Sequence, residues 1–120
     1  MEQEEKVKKL AHNINEKIIQ KYNLQKIYIG KTDDFKQTCF ENGKRDHTYT
    51  LELDCKTPDE IASMEELLIE ELKRNCHIKI EKIPDNILDN SVTHTLYITF
   101  SAHIEADELC EYDEKIFFGK

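Results

Sequence analysis

Glu65 is the residue of this chain whose placement most plainly calls for chemistry. At about 100° per residue along 56–75, with Ile61 as the origin, Met64 falls at about −60°, Leu68 at about −20° and Leu72 at about +20°. Glu65 falls at about +40°, inside that apolar stripe, with Ile69 at about +80°. Glu66 and Glu70 project from the opposite side. A carboxylate on a buried face is costly unless it is paired, hydrogen-bonded or bound to a cation. Two uses are therefore open. Glu65 sits at a seam, reaching water or pairing with Lys26 or a tyrosine, or it is a ligand for a divalent metal or another functional carboxylate.

Other residue types with chemical potential lack the spacing that would organise them. The Gly30-Lys31-Thr32 triplet has no upstream glycine and four-residue spacer, so it is no phosphate loop. No nucleophile elbow, zinc-protease helix or CxxC pair occurs. Cys76 and His77 are adjacent potential zinc ligands, but no second spaced pair completes them. His94 lies on the apolar parity of its strand and is expected to be a hydrogen-bonded core residue; His47 and His103 are expected on the polar surface. Cys39, Cys55, Cys76 and Cys110 are widely separated, the pattern of free buried thiols in a reducing compartment. Lys26, Lys31, Lys36, Lys44 and Arg45, all in the first half, are the candidates for a local basic binding face.

The elements that must position these residues follow from periodicity. Val7, Leu10, Ala11, Ile14 and Ile18 recur at helical spacing and predict a helix over 3–22. KIYIGK (26–31) is a short strand, and the polar stretch 32–46 holds a short helix that starts at Thr-Asp-Asp and ends at Asn42-Gly43. TYTLELDC (48–55) alternates, with Tyr49, Leu51, Leu53 and Cys55 on one face. The stretch 56–75 is a helix with Thr57 as N-cap, Pro58 in the first turn and Glu60 completing a capping box. Strands 76–83 and 92–104 follow; in the second, Val92, Leu96, Ile98, Phe100 and Ala102 share one parity and fix its register. The expected architecture is one α/β (or α+β) domain over 1–120. It holds a small mixed sheet of about four strands with two main helices packed on it.

The string IYIGKTDDF (27–35), then strand TYTLELD (48–54), then helix EIASMEELLIEELK (60–73) resembles the GIY-YIG nuclease superfamily over residues 26–75. Tyr28, Ile29 and Gly30 match the second signature tripeptide, and Glu65 with Leu68-Ile69 matches the metal-binding glutamate and its apolar pair. The resemblance implies Tyr28 and Glu65 as catalytic groups in an active member, with Glu65 holding Mg²⁺ or Mn²⁺. The family's first tripeptide, about ten residues before the second, has no counterpart, since 15–20 read NEKIIQ. The family's arginine position is Thr38 and its histidine position is Asn42. Phosphodiester cleavage needs a cation against the phosphoryl oxygens and a base for water. The resemblance, so depleted, implies a binding or regulatory module rather than an enzyme.

Charge sets the partners. The chain carries 25 acidic and 17 basic residues, for a net charge of −8. The first sixty residues hold 12 acids and 11 bases, the last sixty 13 and 6, and 105–115 alone has six acids and one lysine. Such a surface disfavours nucleic acid except at the local face of Lys31, Lys36 and Arg45; a protein partner is expected, a basic one if the acidic half is what binds. No apolar run is long enough to span a membrane, and the N-terminus is charged where a signal peptide would be apolar, so an intracellular protein, cytoplasmic or nuclear, is expected. Two alternatives stand beside the binding module: an acidic α/β interaction protein, and a metal-dependent nuclease with Lys36 or Arg45 as relocated catalytic groups.

Overall fold

A computed structural model describes residues 2–42, 47–85 and 87–103. Helix α1 (Glu2–Ile14) buries Val7, Leu10, Ala11 and Ile14, and the chain continues through Asn15–Gln20 in the wider π-helical geometry, burying Ile18 and Ile19. The 3–22 helix is thus one apolar stripe in two helical windings, a change of pitch that apolar spacing does not encode. Strand β1 (Lys26–Thr32), helix α2 (Phe35–Asn42) and strand β2 (Thr48–Lys56) follow, then α3 (Pro58–Asn75), β3 (Lys79–Lys82) and β4 (His94–Ser101). The last two strands are shorter than the expected 76–83 and 92–104. Cys76 closes α3 through its N–H to the Leu72 carbonyl, and the connection before His94 is held by side-chain bonds instead of a ladder.

The four strands form one mixed sheet in the order β2-β4-β1-β3, with β1 parallel to β3 and β4 antiparallel to both β1 and β2. This is a small α/β fold. Ile27 and Ile29 of β1, Ile80 of β3, and Leu96, Ile98 and Phe100 of β4 share one face and form the core with α1 and α3. Helix α3 enters that core through Ile61, Met64, Leu68 and Leu72. Its start is set by the capping box: Thr57 Oγ1 accepts the Glu60 N–H and donates to Glu60 Oε1 at 2.8 Å.

The opposite face is polar in sequence yet largely closed. Helix α2 crosses it, with Phe35 against Tyr97 at 6.4 Å between ring centres and Asn42 Nδ2 donating to Thr50 and Thr99. Every residue from His94 to Phe100 is therefore buried, both parities alike. Strand β2 departs from simple alternation at Leu53. The pairing jumps from Glu52–Tyr97 to Asp54–Leu96, a bulge that leaves Leu53 as the extra residue. Cys55, expected with Leu51 and Leu53, is consequently turned to the other parity and exposed, while Asp54 turns toward α1 and pairs with Lys6 at 2.7 Å. Of the expected buried thiols Cys76 is buried and Cys39 half-buried; Cys110 and the acidic tail 105–120 lie outside the described residues.

Candidate functional site

Glu65 is 1% exposed, in the interior phase that helix periodicity gave it. Neither of its carboxylate oxygens has a hydrogen bond among the described residues. What faces it is positive charge: Lys82 Nζ lies 3.3 Å and Lys31 Nζ 3.7 Å from Oε1. Both lysines reach it because of strand parity. Lys31 follows Ile27 and Ile29 on the α3-facing side of β1, and Lys82 follows Ile80 on the same side of β3. The two ammonium groups stand where the parallel pair ends, above α3. Lys31, 13% exposed, also reaches Asp85 at 3.6 Å. Attraction to Glu65 raises the Lys82 ammonium above its usual range.

The expected pairing of Glu65 with Lys26 or a tyrosine is not what the fold makes. Lys26 lies on the other face, its Nζ 4.7 Å from the centre of the Tyr28 ring and 3.2 Å from Glu81. Tyr28 shares that face, so the sheet stands between the Tyr28 hydroxyl and the Glu65 carboxylate. Tyr97, across from Gly30, is the tyrosine whose behaviour registers Glu65: burial first, and the Glu65 charge second, raise its phenol above the ordinary 10.0. A Cβ on Gly30 would lie 2.6 Å from the Tyr97 hydroxyl oxygen, so this crossing needs a residue without a side chain.

The positions that the resemblance assigns to arginine and histidine are both fastened to the sheet. Thr38 is buried; its hydroxyl lies 3.0 Å from Thr32 Oγ1 and 3.0 Å from the Asp34 carbonyl. Asn42 closes the far end of α2 on the Thr50–Thr99 hydroxyl pair, which is 2.6 Å apart. Of the proposed basic face, Lys36 is exposed on α2, Lys31 is turned inward on Glu65 and Asp85, and Arg45 and Lys44 lie outside the described residues. The fold thus brings Lys31 to Glu65 and leaves Tyr28 and Lys36 elsewhere.

Among the described residues no group of three His, Cys, Asp or Glu side chains could hold a metal, the Cys76–His77 pair included. Burial raises the thiols of Cys39 and Cys76, away from thiolate chemistry. His94 is 2% exposed, with Nε2 3.1 Å from the Asp89 carbonyl oxygen, the core residue expected of it. The surface hollows described, of 230 and 460 Å³, follow the α1–α3 seam and contain neither Glu65 nor Tyr28. No described helix is long and apolar enough to cross a membrane.

A second feature has no sequence forecast. Leu88 is 92% exposed on the connection between β3 and β4. The carboxylate of Asp33, in the β1–α2 turn, accepts the N–H groups of both Leu88 and Asp89 at 2.7 Å. Asp89 in turn accepts from the Ser91 N–H and hydroxyl, which hold its carboxyl below the usual range. A large apolar side chain is thereby held out in water with Asp33, Asp85 and Asp89 on its turn and loop. Lys82 and Leu88 escaped the sequence reading for different reasons. A lysine on the apolar parity of β3 was a visible counterpart to Glu65, whereas the exposure of Leu88 depends on a bond from Asp33, 55 residues away.

No protein-family model, curated protein or solved structure matches the chain.

Proposed function

We propose that the protein is a non-catalytic binding module on a divergent GIY-YIG-like core, whose ligand is a protein with a basic surface. The observation that carries it is the sealing of Glu65. A carboxylate that prepares a metal for phosphoryl chemistry must offer its oxygens to the cation and to substrate. Here two lysine ammonium groups already neutralise it, 99% of its surface is closed, and Thr38 and Asn42 serve α2 in place of a cation and a base.

Two strands about ten residues apart pair naturally as an antiparallel hairpin, so a tripeptide upstream of Tyr28 would lie antiparallel beside β1. That place is filled from the other end of the chain by Leu96-Tyr97-Ile98, with Tyr97 opposite Gly30.

In this reading Leu88 marks the partner-binding face. An exposed apolar anchor at the centre of a charged rim is the anatomy of a protein interface, and the carboxylates around it select basic partners. The test is affinity capture with the immobilised protein, comparing wild type with Leu88→Asp and repeating at high salt. Binding without cleavage predicts basic proteins held by wild type, lost from Leu88→Asp and weakened by salt. The same proteins retained by both, unaffected by salt, would refute the Leu88 face.

A second reading, a metal-dependent nuclease with relocated groups, is favoured by one observation: the unbonded oxygens of Glu65 beside two lysines.

A further inference from the structure

The outer strands of the sheet, β2 and β3, are built differently. Strand β3 is four residues long, exposes Lys79 and Lys82, and leads within two residues to Pro84, all devices that keep an edge from pairing. Strand β2 is nine residues long, and its stretch 48–51 carries no charge. The Ala102 N–H donates to the His47 carbonyl at 2.9 Å, so in the continuing register Tyr49–Phe100 and Leu51–Ile98 are the pairs that exchange ladder bonds. Thr48, Thr50 and Glu52 therefore turn their N–H and C=O groups outward, and among the described residues no backbone group meets them. Tyr49 and Leu51, on the core side, are left half-buried.

We propose that this edge is a dimerisation strand, its occupant the same edge of a second copy of the chain, run antiparallel about a two-fold axis through Thr50. That register opposes Thr50 to Thr50 and Thr48 to Glu52, and it joins every outward N–H of 48, 50 and 52 to a carbonyl of the other copy. On the core side it sets Tyr49 of each copy beside Leu51 of the other, an aromatic–aliphatic cross-strand pair that covers both. No like charges stand opposite one another. An axis through Glu52 would instead oppose two glutamates and run into the bulge at Leu53. The assembly closes at two, because the edges left outermost are the short, lysine-bearing β3 strands. This surface is separate from Leu88, which Asp33 holds beyond the far end of β1.

The experiment is sedimentation equilibrium of the full chain over a range of concentrations, with hydrogen exchange read amide by amide. The variants are Thr48→Glu, which sets an acid opposite Glu52 of the other copy, and Thr48→Glu with Glu52→Lys, which turns that repulsion into an attraction. Glu52 is exposed and Thr48 partly so, and melting curves establish that both variants fold. The expected result is a reversible dimer whose formation slows exchange at Thr48, Thr50 and Glu52. Thr48→Glu should weaken dimerisation by about tenfold, because the symmetry imposes the repulsion twice, and the double variant should recover it. Added salt should strengthen the dimer, since each copy carries a net charge of −8 and the two repel at long range; capture of a basic partner responds in the opposite sense. A chain that stays monomeric at every concentration would overturn the proposal. So would a dimer unaffected by Thr48→Glu, or one whose formation leaves exchange at these amides unchanged.

Discussion

The Glu65 carboxylate lies 3.3 Å from one ammonium and 3.7 Å from another, without hydrogen bonds of good geometry to either. Distances of that size give charge neutralisation more than directed bonding, since optimal charge-assisted bonds run to about 2.7–2.9 Å. The two lysines are unequal. Lys31 is 13% exposed and Lys82 54%, so Lys31 is the more deeply buried of the two partners. Lys31→Met should cost about 3–5 kcal/mol in urea unfolding, and Glu65→Met with Lys31→Met should recover much of that loss. A Lys31→Met protein as stable as wild type would show that the pair does not neutralise Glu65. Tyr97 supplies the pH dependence. Its phenol is raised in the fold, so the folded state holds that proton more tightly than the unfolded chain. The stabilisation is complete below the ordinary 10.0 and is lost as pH rises through the folded value. Ultraviolet titration should find a late tyrosine ionisation, and Tyr97→Phe should remove that late step. A late step that persists in Tyr97→Phe belongs to another tyrosine.

Among the elements, α3 is where local chemistry and packing agree most fully. Its cap, its apolar stripe and its buried glutamate were all legible, because helix periodicity and capping depend on residues within one or two turns. Thr57→Ala should lower stability by about 0.5–2 kcal/mol, and Leu68→Ala by about 2–5 kcal/mol, measured by denaturant unfolding. A midpoint unmoved by Leu68→Ala would refute the phase of this helix. The sheet was legible in its strands and less so in its neighbours. Parity in β4 gave the Leu96, Ile98 and Phe100 face correctly. Burial of Thr95, Tyr97 and Thr99 followed from α2 crossing the other side, which no strand-local pattern reports. The bulge at Leu53 moved Cys55 to the surface, and its cause is the pairing of β2 with β4, more than forty residues apart in sequence. Gly30 belongs to the same class: the approach of Tyr97, with Ile83 Cβ at 3.2 Å, explains it. Gly30→Ala should cost about 1–3 kcal/mol through that overlap, with unchanged stability as the contrary result.

For the whole molecule, one sheet separates two chemical faces. On the α3 side the buried carboxylate of Glu65 is sealed with two lysines; on the other, Tyr28 lies with Lys26 and Glu81. The resemblance joined Tyr28 and Glu65 in sequence, but strand parity places them apart in space, since Tyr28 alternates with Ile27 and Ile29. The candidate site was thus half legible: Glu65 could be found from its own helix, while its partners required knowing which strands run beside β1. A net charge of −8 with an apolar anchor among carboxylates then fits recognition of a basic protein better than of a phosphate backbone. The central claim, that this protein binds without cutting, is tested most directly by incubating it with labelled DNA and RNA in Mg²⁺ or Mn²⁺, beside Glu65→Gln. Both proteins should leave every substrate intact; cleavage by wild type that disappears in Glu65→Gln would contradict it.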